Sequence, residues 1–74
     1  KAINLSTLEE LASKNNLTEV TFDTLVQAGF VSGNDKVKIL GNGTITRALA
    51  VKANAFSKSA EAAIVAAGGS IEKL

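Results

Sequence analysis

Apolar and polar positions follow two periods along this chain, one of two residues and one of three to four. Ile3 and Leu5 alternate with polar neighbours, the pattern of a short half-buried strand. Ser6-Thr7-Leu8-Glu9 has the spacing of a capping box, in which Ser6 caps a helix and Glu9 reaches back from the third helical position. Leu8, Leu11 and Ala12 then share one face, which predicts a helix over about 7–14 that ends at Lys14-Asn15-Asn16. Thr21 opens a second short helix with Phe22, Leu25 and Val26 inward and Gly29 as a left-handed stop. Phe30 and Val31 follow as an apolar anchor, and Ser32-Gly33-Asn34-Asp35 makes a turn.

Val37, Ile39 and Leu40 predict a strand with Lys36 and Lys38 alternating outward, and Gly41-Asn42-Gly43 turns the chain. Leu49, Val51 and Ala53 alternate with Lys52 in a second strand. It either pairs antiparallel, with Ile45 continuing a hairpin, or returns parallel after a loop. Ser57 caps a helix from Lys58 to Ala67 whose stripe is Ala60, Ile64 and Ala67, and Gly68-Gly69 stops it before a terminal strand at Ser70–Leu74. Phe56, Ile39, Val51 and Ile64 are expected to share one core. About four short strands and three helices in irregular strand–strand–helix layers predict a mixed α/β fold, with residues 1–74 as a single small domain.

Composition narrows the function classes. A domain of 74 residues buries only about 60% of the surface its unfolded chain exposes, so modest stability is expected. Without cysteine or histidine, disulfides, the usual zinc sites and the commonest general base are all missing. The carboxylates fall mostly at predicted helix ends, so no catalytic constellation emerges, and neither an enzyme, a cofactor, a metal nor a small-molecule substrate is expected. No apolar run reaches the roughly 18 residues of a membrane span, and no signal-peptide pattern opens the chain. Residue 1 is a lysine rather than a methionine, so a fragment or processed domain is expected.

Charge is the strongest physical hint of function. Residues 1–35 carry two bases against five acids, and residues 36–74 carry six bases against two acids. With no linker between them, the two halves read as two faces of one fold. The acid-free stretch from Lys36 to Ser59 holds Lys36, Lys38, Arg47, Lys52 and Lys58, a pattern suited to nucleic-acid phosphates. Within it, Ser57-Lys58-Ser59 brings backbone N–H groups, two hydroxyls and an ammonium to one helix start. Gly41-Asn42-Gly43 lacks the third glycine of a dinucleotide fingerprint, since that position is Thr46, and lacks the Gly-Lys-Ser/Thr of a P-loop. It is a tight turn whose bare backbone also suits approach to a nucleic-acid backbone. A non-catalytic protein–protein interaction module, with the acidic half meeting a basic partner, is the competing class.

Lys38-Ile39-Leu40-Gly41-Asn42-Gly43, then Ile45, Leu49, Val51, Phe56-Ser57, Ala60, Ile64 and Gly68-Gly69, resemble the hallmark of the family of bacterial large-subunit ribosomal protein fifteen (uL15) and its eighteen-e relative. Thr24-Leu25-Val26-Gln27-Ala28-Gly29, leading into Val37–Leu40, resembles the preceding segment, so nearly the whole chain is covered as the family's C-terminal globular part. The resemblance implies a structural constituent of the large subunit that binds 23S-type ribosomal RNA, contacts neighbouring large-subunit proteins and has no catalytic activity. It also implies a ribosomal location, cytoplasmic or organellar. The family's long basic glycine-rich N-terminal extension is not among these 74 residues, so the family's largest RNA-binding element is expected to lie outside them. Asn54 stands where histidine is frequent and Val65 where glutamate is frequent. Carried over position by position, the implied RNA contacts are Lys38, Gly41, Asn42, Gly43, Lys52, Asn54, Ser57, Lys58 and Ser59; Arg47 joins them on charge alone.

Overall fold

A computed structural model describes residues 1–74. Six short strands and three helices alternate as β1 (Ala2–Asn4), α1 (Leu5–Asn15), β2 (Glu19–Val20), α2 (Phe22–Gln27), β3 (Lys38–Leu40), β4 (Ala50–Ala53), β5 (Ala55–Phe56), α3 (Lys58–Ala66) and β6 (Ser70–Lys73). The odd strands form one three-stranded sheet in the order β1-β3-β5, and the even strands form another in the order β2-β4-β6. Every pairing is parallel. The hairpin alternative therefore fails: Ile45 lies in the long loop after Gly43 as a buried anchor, outside any strand. Two strands beyond the expected four, β2 and β5, have only two residues each, too short for a period to register.

Sixteen side chains are buried, all of them apolar, and they form one cluster between the two sheets and the helices. Leu5, Leu8, Leu11 and Ala12 are the buried stripe of α1. Ala60 and Ile64 are that of α3, where small residues let the helix lie close to the sheets. Ile39, Val51 and Ile64 share this core as expected. Phe56 is only half-buried at its edge, in register with Ile39 across the first sheet. Two other apolar expectations are corrected. Val26 and Phe30 are 37% and 40% exposed, whereas the inward side chains of the six-residue α2 are Leu25, fully buried, and Phe22, partly buried against the core.

All three helices end on a left-handed residue, Asn16, Gly29 or Gly68. At α2 and α3 the two N–H groups that follow fold back on the last turn: Gly29 and Phe30 bond Val26 and Leu25, and Gly68 and Gly69 bond Val65 and Ile64. Thr21 caps α2 with a reciprocal pair of bonds to Thr24, and the Ser32–Asp35 turn is closed by the Asp35 carboxylate.

The Ser6–Glu9 capping box does not form. The helix starts one residue earlier than Ser6, behind Asn4, which has extended backbone and makes no side-chain cap. The loop after β3 supplies partners that the local motif was expected to provide. The Ser6 N–H donates to the Asn42 carbonyl at 3.1 Å, and the Glu9 carboxylate accepts from the Thr46 N–H at 3.0 Å and from its hydroxyl.

Candidate nucleic-acid interface

The Gly41-Asn42-Gly43 turn leaves the C-terminal end of β3 and passes between the first turns of α1 and α3. A Cβ on Gly43, whose φ is +92°, would stand 2.6 Å from the Cβ of Ser6. A Cβ on Gly41 would overlap the Ser59 hydroxyl and stand 3.1 Å from the Ala60 nitrogen. These glycines therefore serve close packing as well as the turn. Asn42 is committed on both sides: its carbonyl takes the Ser6 N–H, and its Nδ2 donates to Asn4 Oδ1 at 3.3 Å. The start of α1 is thus covered by the loop.

The start of α3 is more open. The Ser57 N–H donates to the Ile39 carbonyl at 2.9 Å, which pins the cap to β3, and the Ser57 hydroxyl accepts the Ala60 N–H at 3.2 Å. Ser57 and Ser59 hydroxyls lie 3.3 Å apart. The Lys58 and Ser59 N–H groups are first-turn donors with no intrahelical acceptor, and Lys58 and Ser59 are both exposed. Hydroxyls and free N–H groups thus gather beside the Gly41 backbone, with Lys58 at the same helix start and the positive end of the helix dipole behind them.

The remaining candidates do not all join this place. Lys38 is exposed on the outer face of the first sheet, between Ala2 and Ala55 of the neighbouring strands. Asn54 is built into the backbone: its Oδ1 accepts the Val37 N–H at 2.8 Å while its own N–H donates to the Val37 carbonyl at 3.0 Å. Lys52 lies on the outer face of the second sheet, 3.7 Å from the Glu19 carboxylate and in register with Glu72. Clean separation of bases from first-half acids is therefore corrected at Lys52. The parallel β2-β4 pairing, invisible in the sequence, brings Glu19 there. With both side chains largely solvated, the pair contributes about 0–1 kcal/mol.

Arg47 stands beside another first-half acid. The Thr46 hydroxyl, then the Thr46 N–H, and more weakly Arg47, hold the Glu9 carboxyl below the usual glutamate range. A depressed carboxylate contributes stability that is complete above its unfolded value, about 4.3, and is lost as pH falls through the lower folded value. Glu9→Gln is accordingly expected to be less stable than the wild type at neutral pH, with the gap closing below about pH 4. Urea denaturation of both proteins across that range checks it, and a gap independent of pH contradicts it.

A family model described as ribosomal proteins 50S-L15 and 50S-L18e, together with their 60S counterpart, matches residues 2–72. The chain belongs to that family. It is 58% identical over all 74 residues to large ribosomal subunit protein uL15 of Bacteroides thetaiotaomicron and 55% identical to that of Parabacteroides distasonis, covering 50% of each. The uL15 protein of Amoebophilus asiaticus is 52% identical over 69 residues, which is 93% of this chain and 45% of that protein. The chain spans about half the length of the curated relatives it matches. The resemblance carried by Lys38–Gly43 and the ordered positions after it is thereby borne out, and it extends through the acidic first half. No helix of this family member is long and apolar enough to cross a membrane.

Proposed function

We propose that the chain is a structural, non-catalytic part of the large ribosomal subunit that contacts its RNA through the start of α3 and the adjoining Gly41–Gly43 turn. Family membership supports the large subunit, since the relatives bear that name. The observation that carries RNA contact is the state of the bases in the acid-free stretch: Lys52 has an acid within ion-pair distance, and Lys36, Lys38 and Lys58 have none. Lys58 adds its charge to two free helix-start N–H groups, and such a group of donors suits a phosphate oxygen. Lys38 lies on the same sheet as the β3 end of the turn, whereas Lys52 and Arg47, each facing an acid, contribute less. Asn54 spends its Oδ1 on the Val37 N–H, which leaves only its side-chain NH2 for a partner.

Neighbouring large-subunit proteins are the second partner class. Phe30 lines a trough of about 360 Å³ along α1 with Leu11, Ala28, Glu10 and Lys14, none of them a base of the acid-free stretch.

Binding through lysines is salt-dependent, each phosphate contact adding about one unit to the slope of log affinity against log salt. Lys58→Gln is expected to weaken binding to large-subunit ribosomal RNA fragments and to flatten that slope by about one. Lys14→Gln, on the acidic half, is expected to leave both unchanged. A salt titration of the three proteins against one fragment checks this. Equal losses from Lys14→Gln and Lys58→Gln would put RNA contact elsewhere and favour the interaction-module reading.

A further inference from the structure

We infer that a second site for a nucleic-acid phosphate backbone lies at the start of β3, in the cleft bounded by Lys1, Lys36 and Lys38. The inference rests on the RNA reading above but concerns a separate place, since the cleft and the start of α3 lie at opposite ends of β3, about 10 Å apart along the strand.

The cleft has a volume of about 470 Å³, and its walls include the three lysines, Asn54, Ala55 and Leu74 but no aspartate or glutamate. Parallel pairing builds it. The Lys38 N–H donates to the Lys1 carbonyl at 2.8 Å, which brings residue 1 against Lys36 and Lys38, 35 and more positions away in sequence. Asp35, the nearest acid along the chain, turns its carboxylate to the Ser32 N–H at 2.9 Å and to the Ser32 hydroxyl. The structure's ion pair, Lys52 with Glu19, is on the other sheet. Lys36 and Lys38 therefore have no acid within ion-pair distance, whereas Lys1 lies close enough to Asp35 to join the Ser32 N–H and hydroxyl, more weakly, in holding its carboxyl below the usual aspartate range.

Asn54 gives the cleft a fixed donor. Its Oδ1 is spent on the Val37 N–H, so the side-chain NH2, which has no partner within the protein, is the end left for a ligand. Ammoniums and an amide donor, with no free side-chain acceptor and no aromatic ring, suit a phosphodiester and offer nothing that distinguishes one base from another. Ala2 and Ala55 flank Lys38 on the sheet's outer face, and side chains that short leave room for a nucleic-acid strand to lie along it.

The test uses two labelled oligoribonucleotides of unrelated sequence in anisotropy titrations at several salt concentrations. The proteins are the wild type, the double variant Lys36→Gln/Lys38→Gln and Lys58→Gln. The double variant is expected to lower the salt slope by about two with both oligonucleotides, against about one for Lys58→Gln. In the wild type, the side-chain NH2 resonances of Asn54 should shift when either oligonucleotide is added. This second readout needs no variant. Loss of affinity in Lys58→Gln alone, with Asn54 unmoved, overturns the cleft and leaves the RNA reading standing. A double-variant effect confined to one oligonucleotide overturns it too, since that implies base reading. If the wild type binds neither RNA, the cleft and the RNA reading fail together.

Discussion

Gly69→Ala is expected to destabilise the domain by about 3 kcal/mol or more, a large share of the roughly 4–11 kcal/mol available to a chain of this size. Gly69 is where α3 hands the chain to β6. Its N–H closes the helix on the Ile64 carbonyl at 3.0 Å, and the next N–H, of Ser70, donates to the Leu49 carbonyl at 3.0 Å to begin the strand. The two backbones are pressed together at that step. A Cβ on Gly69 would overlap the Leu49 carbonyl oxygen and stand 2.8 Å from the Leu49 nitrogen and 3.1 Å from the Ile64 oxygen. These are backbone atoms, so no rotamer relieves the overlap. Leu49 is itself fully buried and leads into β4, the central strand of its sheet. Relief therefore means pulling β6 away from β4 or unwinding the end of α3. Gly33→Ala is the control, because a Cβ there meets nothing within 4 Å, and its effect should stay within about 0.5 kcal/mol. Urea denaturation of the two variants separates them, and equal midpoints would mean that Gly69 does not make this contact.

The second large effect belongs to α3 itself. Ile64 is completely buried, whereas its neighbour Val65 is 54% exposed. Ile64→Ala should cost about 2–5 kcal/mol, as truncation of a core isoleucine leaves a cavity between the helix and the sheets. Val65→Ala should be neutral or slightly stabilising, since it removes little buried surface and alanine favours the helix. The same pair of variants separates fold from function. Ile64 is the one large side chain that α3 buries, so its truncation should also weaken RNA binding in proportion to the unfolded fraction. Val65→Ala should bind as the wild type does. Thermal melts followed by circular dichroism check the stability contrast, and a Val65→Ala loss as large as that of Ile64→Ala contradicts it.

The helices were legible in the chain because their signals are local. Thr21, Ser57, Gly29 and Gly68 act within a few residues of themselves, and each takes the role its type predicts. Sheet pairing was not legible. Parallel strands pair across long crossovers, and no residue near Lys38 indicates that Ala2 lies on one side and Ala55 on the other. The errors at the site have the same origin. Glu9 had the spacing of a capping residue, but Thr46, distant in sequence, offers its carboxylate two donors. Lys52 read as a free base until β2 and β4 brought Glu19 to it. Lys1 was missing from the implied contacts because only the β1-β3 register sets it beside Lys38, and Lys36, two residues from Lys38, was legible only as part of the acid-free stretch. The start of α3 was found because a helix cap and its neighbouring lysine are adjacent in the chain. Gly41 was read as a turn residue, and its close packing on Ser59 needed the fold to be seen.

We propose contact with large-subunit ribosomal RNA through the basic side of the first sheet and the start of α3. Competition binding tests it most directly, with a labelled large-subunit ribosomal RNA displaced by unlabelled large-subunit or small-subunit ribosomal RNA at physiological salt, for the wild type and for a variant carrying Lys36→Gln, Lys38→Gln and Lys58→Gln. The triple variant is expected to lose binding while keeping its melting transition; because the contacts are to phosphates, the two unlabelled RNAs are expected to compete at similar concentrations. Undiminished binding by the triple variant, or no binding by the wild type, would contradict the claim.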